Sequence, residues 1–387
     1  MVFHMSEESY KQVKICFVAL GNTYPVLKGE SCQKIVGTDI QQVFQARSLA
    51  DRKYTVIMIT FGVESKRENI DGIEVITIIK DRWSFRPFNI IYRVLSIWNS
   101  IIISKADVII YTGLLPGVVI FFSRLLNKKS IYQISSDALV DRNIITKKNN
   151  DFQLSKFSIG SFGNWLDIMF ATIICCQTNS QKIMLEKNYN RKGIVVKMAI
   201  PEPQKKMLGT EKTFTVLWVG AFAEVKQPQV FIELAKRIPE AQFLMIGGYT
   251  PEDEGLFIHC INQSKSLKNF SYLGVIPFNK IDQYFARSTI LVNTSMFEGY
   301  PNAFIQAMQF ELPIVSLHAN PDGILNTFTI GFHSATFEQM IDDVKKLMMD
   351  PSILHEMGKN AFDYYQKEHN WDEYISKYEN LITWTNK

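Results

Sequence analysis

Histidine is scarce in this chain, with six in 387 residues, and the six are scattered. No D-x-D, H-E-x-x-H, G-x-S-x-G, Walker A or G-x-G-x-x-G stands anywhere in it. Those absences leave a dedicated metal site and a Ser-His-Asp hydrolase without support. The five cysteines (16, 32, 175, 176, 260) show no C-x-x-C or paired-ligand spacing. Their odd number, with no signal peptide ahead of them, predicts reduced thiols and a cytoplasmic protein. The polar start, MVFHMSEESYKQ, allows Met5 as the first residue. No run of about 18 uncharged apolar residues exists, so no membrane-spanning helix is predicted. A net charge of +4 from 42 basic and 38 acidic residues is too mild to imply nucleic acid, but it permits attraction to anionic surfaces.

What the chain does have is alternation. Its 47% apolar content is that of a globular protein, and its length suits two domains better than one core. Residues 13–20 read as a buried strand, 21–37 as a glycine-containing loop, 38–52 as an amphipathic helix and 54–60 as the next strand. Strand-like runs follow near 73–79, 107–111, 130–134, 172–177 and 194–197, mostly separated by helical patterns. Such alternation predicts parallel sheets covered by helices. Prolines and lysines mark 201–212 as a linker. The alternation then restarts at 214–219, 242–246, 269–273, 289–293 and 313–317, with Gly220, Gly247 and Gly274 closing the first three strands. The expected organisation is a first Rossmann-like domain over 1–200, a second over 213–366, and a C-terminal helix over 367–387 packing back on the first.

Ligands of open parallel sheets sit outside the carboxyl ends of the strands, and the chemistry-bearing residues fall there. In TSMFEGYPNAFIQAMQFELPIVS (294–316), Glu298 precedes a Gly-Tyr-Pro-Asn turn and an apolar-periodic helix. Pro301 suits the first helical position, where a missing N–H costs nothing. A carboxylate beside a helix N-terminus suits a phosphate bonded to a hydroxyl-rich group; the alternative is an anion that merely stabilises the helix dipole. Asn302 and Gln306, four apart, share one helical face. Lys226, in a loop between Gly220 and a helix starting near Pro228, is placed for a diphosphate, or is an ordinary exposed loop lysine. Gly37 and Thr38 open a helix whose amides can meet an acceptor. Asp137 follows a strand and can contact an acceptor or cap the next segment. Residues 80–98 interleave Lys80, Arg82, Arg86 and Arg93 with five aromatic residues, either for contact with anionic lipid or as a core-facing helix with a basic rim.

These motifs resemble the retaining nucleotide-sugar glycosyltransferases of family 4, whose architecture is GT-B: two doubly wound α/β domains facing across a cleft. The resemblance covers almost the whole chain and is most specific in VGAFAEVKQPQVFIELAKRIPEAQFLMIGG and EGYPNAFIQAMQFELPIVS. It implies that Lys226 holds the donor diphosphate and Glu298 the hydroxyls of the transferred sugar, the two forming the catalytic set. Gly220, Gly299, Tyr300, Pro301 and Asn302 would line the donor site, and Val275 and Pro277 the nucleotide base. Gln306 takes the place of the second glutamate in the family's E-x7-E pattern and would bind the ribose. Gly37, Thr38 and Asp137 would lie on the acceptor side. The implied reaction is metal-independent transfer with retention, without a cofactor, from a UDP- or GDP-linked nucleotide-sugar. The acceptor would be a glycan or polyprenyl-linked glycan in surface-polysaccharide assembly, with peripheral contact at the inner face of the plasma membrane. Three departures stand against this: Gln306 in place of a carboxylate, Ala221 and Phe222 where an arginine often lies, and no first-domain histidine near 135–137. They keep a non-catalytic GT-B scaffold as the alternative. Replacement of Gln306 by Glu is expected to keep or improve donor affinity.

Overall fold

The computed structural model describes residues 13–30, 36–80, 82, 86–113, 115–141, 157–203 and 213–384. Met5, Cys32, Trp83, Phe85 and positions 204–212 of the expected linker lie outside these. The chain divides into two compact units. One comprises 1–30, 38–196 and 372–387, the other 31–37 and 197–371.

Among the described residues the first unit holds eight strands: β1 (Lys14–Ala19), β2 (Thr55–Gly62), β3 (Arg67–Ile70), β4 (Ile73–Ile79), β5 (Val108–Tyr111), β6 (Lys129–Gln133), β7 (Ile173–Cys176) and β8 (Ile194–Val195). They form one sheet in the order β3-β4-β2-β1-β5-β6-β7-β8. Every pairing is parallel except that of β3 with β4. This edge hairpin, turned through Asp71 and Gly72 with positive φ, is a correction to the all-parallel expectation. Its strand RENI is polar and half-exposed, so it gives no buried-strand signal. The strands β5 and β7 are buried at every position, as a sheet covered on both faces requires.

Among the described residues the helices of this unit are α1 (Thr23–Lys28), α2 (Gly37–Asp51, in this unit from Thr38), α3 (Arg86–Ser104), α4 (Val118–Leu125), α5 (Phe157–Phe170) and α6 (Asn179–Tyr189). The interval 21–37, read above as loop, thus contains a helix; Gly29, at φ 68°, ends it in the left-handed conformation. Thr178 starts α6 by accepting from Gln181 N at 3.0 Å.

The second unit has a six-stranded, all-parallel sheet ordered β11-β10-β9-β12-β13-β14. Its strands are β9 (Thr215–Val219), β10 (Gln242–Ile246), β11 (Phe270–Tyr272), β12 (Ile290–Asn293), β13 (Ile314–Ser316) and β14 (Gly331–His333). The helices are α7 (Pro228–Arg237), α8 (Glu254–Ser264), α9 (Phe278–Ala286), α10 (Asn302–Gln309), α11 (Ile324–Thr327), α12 (Phe337–Met349) and α13 (Pro351–Glu368). Thr336 caps α12, and Asp350 caps α13 by accepting from Ser352 N and Ile353 N, with Pro351 at the first turn. Gly247 is required where it stands: a Cβ there would lie 1.6 Å from the Gly220 carbonyl oxygen.

The last helix, α14 (Trp371–Thr383), joins the first unit from Asp372 onward. Its aromatic face supplies the polar anchors: Gln133 Nε2 donates to Tyr378 Oη at 2.7 Å, and Gln45 Nε2 donates to Tyr374 Oη. On its outer side Arg52 pairs with Asp372 and Glu379. Tyr374, Ile375, Tyr378, Leu381 and Ile382 are all buried, so the helix completes a core and is not an appendage.

The described cysteines, 16, 175, 176 and 260, are buried free thiols. Burial pushes Cys16 and Cys176 up to about 12 and Cys260 to about 11, which makes them poor nucleophiles.

Candidate active site

In the second unit β9 lies between β10 and β12. The chain winds from β9 to β10 on one side, then crosses back to β12 and β13 on the other. Such a switch point leaves a crevice at the carboxyl edge of the sheet. Lys226 lies in the loop after β9 and Glu298 in the loop after β12.

The two loops are fastened together. Met296 N donates to Val225 O (2.8 Å), Thr294 Oγ1 to Lys226 O (2.6 Å), and Trp218 Nε1 to Thr294 Oγ1 (3.0 Å). Lys226 ends a 3-10 turn, Glu224–Lys226, and the following Gln227 takes φ 47° to enter α7. Below the turn, Phe222 is fully buried and meets Phe257 and Tyr272 edge-on at 5.1 and 5.5 Å. Phe222 therefore supports the loop from the core and does not face a ligand.

Lys226 Nζ donates to Glu298 Oε1, and the same oxygen accepts from Ser295 Oγ at 2.6 Å. The two side chains are 28% and 14% exposed, enough for a ligand to reach both. Separate diphosphate and sugar contacts were expected of them; here they form one ion pair. An ammonium carries three donors, so Lys226 can hold the carboxylate and still offer N–H to a phosphate oxygen.

The turn after Glu298 is held from behind. Tyr300 is buried, and its hydroxyl bonds His369 Nε2 at 2.7 Å, while His369 Nδ1 faces the Met198 carbonyl oxygen at 2.5 Å. A carbonyl only accepts, so Nδ1 carries the proton and Nε2 accepts from Tyr300. Burial keeps the Tyr300 phenol well above its ordinary range. Tyr300 is thus a support of the turn. Pro301 is the N-cap of α10, with extended φ −65° and ψ 126°, and not its first helical residue as expected. Its side chain cannot cap, so the N-cap residue offers no side-chain oxygen to the first-turn amides.

Asn302 lies half-buried at the start of α10, and its Nδ2 donates to the carbonyl of Gly37 at 3.1 Å; Gly37 clusters with this unit. Gln306, one turn on, is buried, and its Nε2 has no hydrogen-bond partner among the described residues. Val275 and Pro277 follow edge strand β11, two strands from β9, with Pro277 at the N-cap position of α9. Gly220 ends β9, its N–H donating to Ile246 O at 3.0 Å.

Thr38 and Asp137 belong to the first unit. Thr38 is half-buried in the first turn of α2. Asp137 starts a 3-10 turn after β6, at a carboxyl edge, where Oδ1 accepts from Gln181 Nε2 at 2.9 Å. The capping role belongs to its neighbour Ser136, whose Oγ accepts from Ala138 N. Sequence reasoning passed over Ser295, Thr294, Trp218 and His369. Ser295 stands three residues before Glu298 and could have been read as its partner; His369 has no local motif at all.

Residues 201–364 match the family model described as "Glycosyl transferases group 1". An uncharacterized glycosyltransferase of Haemophilus influenzae is 24% identical over 343 residues, 84% of this chain and 90% of that protein. Glycosyltransferase 1 domain-containing protein 1 of Xenopus tropicalis is 24% identical over 164 residues, 41% of this chain and 47% of that protein, so the chain spans about half of that relative. Among solved structures, sucrose-phosphate synthase from Thermosynechococcus elongatus superposes with a TM-score of 0.77 at 13% identity, covering 96% of this chain and 98% of that one. HepE from Anabaena, solved with UDP and glucose, gives 0.68 at 13% identity, covering 96% and 100%.

Proposed function

We propose that this chain, a GT-B protein whose second unit belongs to the glycosyl transferases group 1 family, moves a sugar from a UDP- or GDP-linked donor to a glycan or lipid-linked glycan acceptor, with retention at the anomeric carbon. The observation that carries the reading is the meeting of Lys226 and Glu298 at the switch point of that unit's sheet. A lysine and a carboxylate on two loops locked to each other match the two ends of a sugar diphosphate. The Lys226 ammonium and the positive end of α10 offset the charge that develops on the leaving diphosphate. Glu298 accepts hydrogen bonds from the sugar hydroxyls. Positive charge from the chain itself lets the leaving group depart without a divalent cation. The acceptor hydroxyl attacks on the face the diphosphate leaves, and the proton passes to the departing phosphate oxygen. A surface-polysaccharide role, with the protein peripheral at the cytoplasmic face of a membrane, fits a lipid-borne acceptor.

The test is a panel of UDP- and GDP-sugars. A donor at a hundred times its Kd stabilises the native state by about 2.7 kcal/mol, read as a rise in melting temperature, and the donor that shifts the melt is then assayed for transfer. Absence of any shift and of any donor hydrolysis across the panel would overturn the proposal.

A further inference from the structure

The face of the first unit built by α3, α4 and α5 is apolar where it meets solvent. Along α3, Phe88, Ile91, Leu95 and Ile102 recur at spacings of three, four and seven and are exposed, Leu95 by 61%. The opposite side of the same helix is buried through Ile97 and Ile101. A helix apolar on both sides is covered on both sides in its working state. The next helix continues the surface: α4 packs against both α3 and α5, Trp98 meets Phe122 edge-on at 4.8 Å, and Phe121 and Leu125 point outward. On α5 the exposed Phe162, at 60%, stacks on the exposed Trp165 with centroids 5.8 Å apart. Scattered surface apolar residues need no explanation, but a continuous apolar surface over three neighbouring helices marks a contact.

The charge on these helices says with what. Their 41 residues (19, 8 and 14) contain Arg86, Arg93 and Arg124 and a single acidic residue, Asp167. Asp167 is buried, so among the described residues these three helices present no exposed carboxylate. Arg82 is exposed at the edge of the face, with its guanidinium over the face of the Tyr92 ring, 5.4 Å from the centroid. An apolar face with aromatic residues and arginines and without acids fits the boundary between the acyl chains and head groups of an anionic bilayer. A second copy of this chain fits poorly, because a two-fold interface would set arginines against arginines.

We propose that α3, α4 and α5 form a docking surface for an anionic lipid bilayer. The inference deepens the reading above, on which it rests for the lipid-borne acceptor, and it places membrane contact on the acceptor-side unit. No helix among the described residues is long and apolar enough to cross a membrane, so the contact is interfacial.

The experiment is co-sedimentation of the full chain with vesicles of phosphatidylcholine alone and of phosphatidylcholine mixed with phosphatidylglycerol. Two exposed arginines, Arg82 and Arg124, predict partition onto the phosphatidylglycerol vesicles on the order of thirtyfold stronger, falling with added salt. The double variant Leu95→Glu, Phe162→Glu is expected to lower that partition at least about tenfold. Arg124→Glu is expected to reduce the preference for phosphatidylglycerol while keeping the residual binding to phosphatidylcholine. All these positions are exposed, so the melting temperature and the donor-induced shift should be those of the parent; loss of the donor shift in the parent itself would instead count against the transferase reading. Three outcomes overturn the proposal: no partition onto either vesicle, partition unchanged by the double variant, or a concentration-dependent dimer that the double variant abolishes.

Discussion

Replacement of Glu298 by Gln keeps the side-chain shape and removes the charge at the meeting point of the two loops. In the structure Glu298 Oε1 accepts from both Lys226 Nζ and Ser295 Oγ. The pair is partly exposed, with Lys226 28% accessible, so its loss changes stability by no more than about 1 kcal/mol. Transfer is a different matter. A hydrogen bond to a carboxylate contributes about 1.5–3 kcal/mol, against about 0.5–1.5 for a neutral one. If two sugar hydroxyls lean on Glu298, the amide forfeits about 2–3 kcal/mol, a fall of roughly 30- to 150-fold in kcat/KM. The assay is initial-rate transfer with the donor that stabilises the protein, alongside thermal melts of parent and variant. Glu298→Asp, which keeps the charge at a shorter reach, should recover part of the loss. A fall of less than about threefold, with the melt unchanged, would refute the placement of the transferred sugar against this carboxylate.

Gln306→Glu is expected to lower the melting temperature of the unliganded protein, since it introduces a carboxylate at a buried position, while leaving donor affinity equal or higher; titration calorimetry with the cognate donor checks it, and abolished binding would place the ribose elsewhere. Tyr300→Phe leaves the buried His369 Nε2 without its 2.7 Å partner and should destabilise by about 1–3 kcal/mol, with a rise in donor KM larger than any change in kcat; chemical denaturation and steady-state kinetics separate the two effects. Asp167 gives a pH signature. Burial raises its carboxyl from 3.8 to about 7, neither carboxyl oxygen has a hydrogen-bond partner among the described residues, and Tyr111 and Tyr132 are titratable groups facing it. Folded Asp167 holds its proton more tightly than unfolded Asp, so its contribution is favourable below about pH 4 and is lost as pH rises through 7, on the order of 4 kcal/mol in all. Asp167→Asn should therefore raise the melting temperature more at pH 8 than at pH 4, and an equal rise at both would contradict the assignment.

Much of the second unit was legible because local and global signals coincide there. The runs 214–219, 242–246 and 289–293 are apolar because parallel strands are buried on both faces, and Gly220 and Gly247 after the first two mark tight carboxyl-edge turns. Glu298 and Lys226 stood out because each lies beside a helix start. The edge strand β3 and the short α1 were illegible, since RENI carries no apolar alternation and TYPVLK is too short for a helical period to show. Phe222 was noted for the arginine it displaces, whereas its aromatic neighbours Phe257 and Tyr272 lie 35 and 50 residues further along the chain.

The sequence by itself determined the two-fold alternation of strand and helix, the acid-plus-turn motif at 298–302, the lysine loop at 226 and the basic, apolar character of 80–98. Each element of these is encoded within about twenty contiguous residues, where periodicity, turn chemistry and capping act. Only the tertiary structure decided that Lys226 and Glu298, 72 residues apart, share one hydrogen bond, and that His369 braces Tyr300 from 69 residues away. It also decided that α3, α4 and α5 pool their apolar sides into one exposed face. The reason is physical. Strand order places β9 beside β12, and helix packing aligns α3, α4 and α5. Neither arrangement follows from a local pattern, because both are set by which buried surfaces fit together once the whole chain has collapsed.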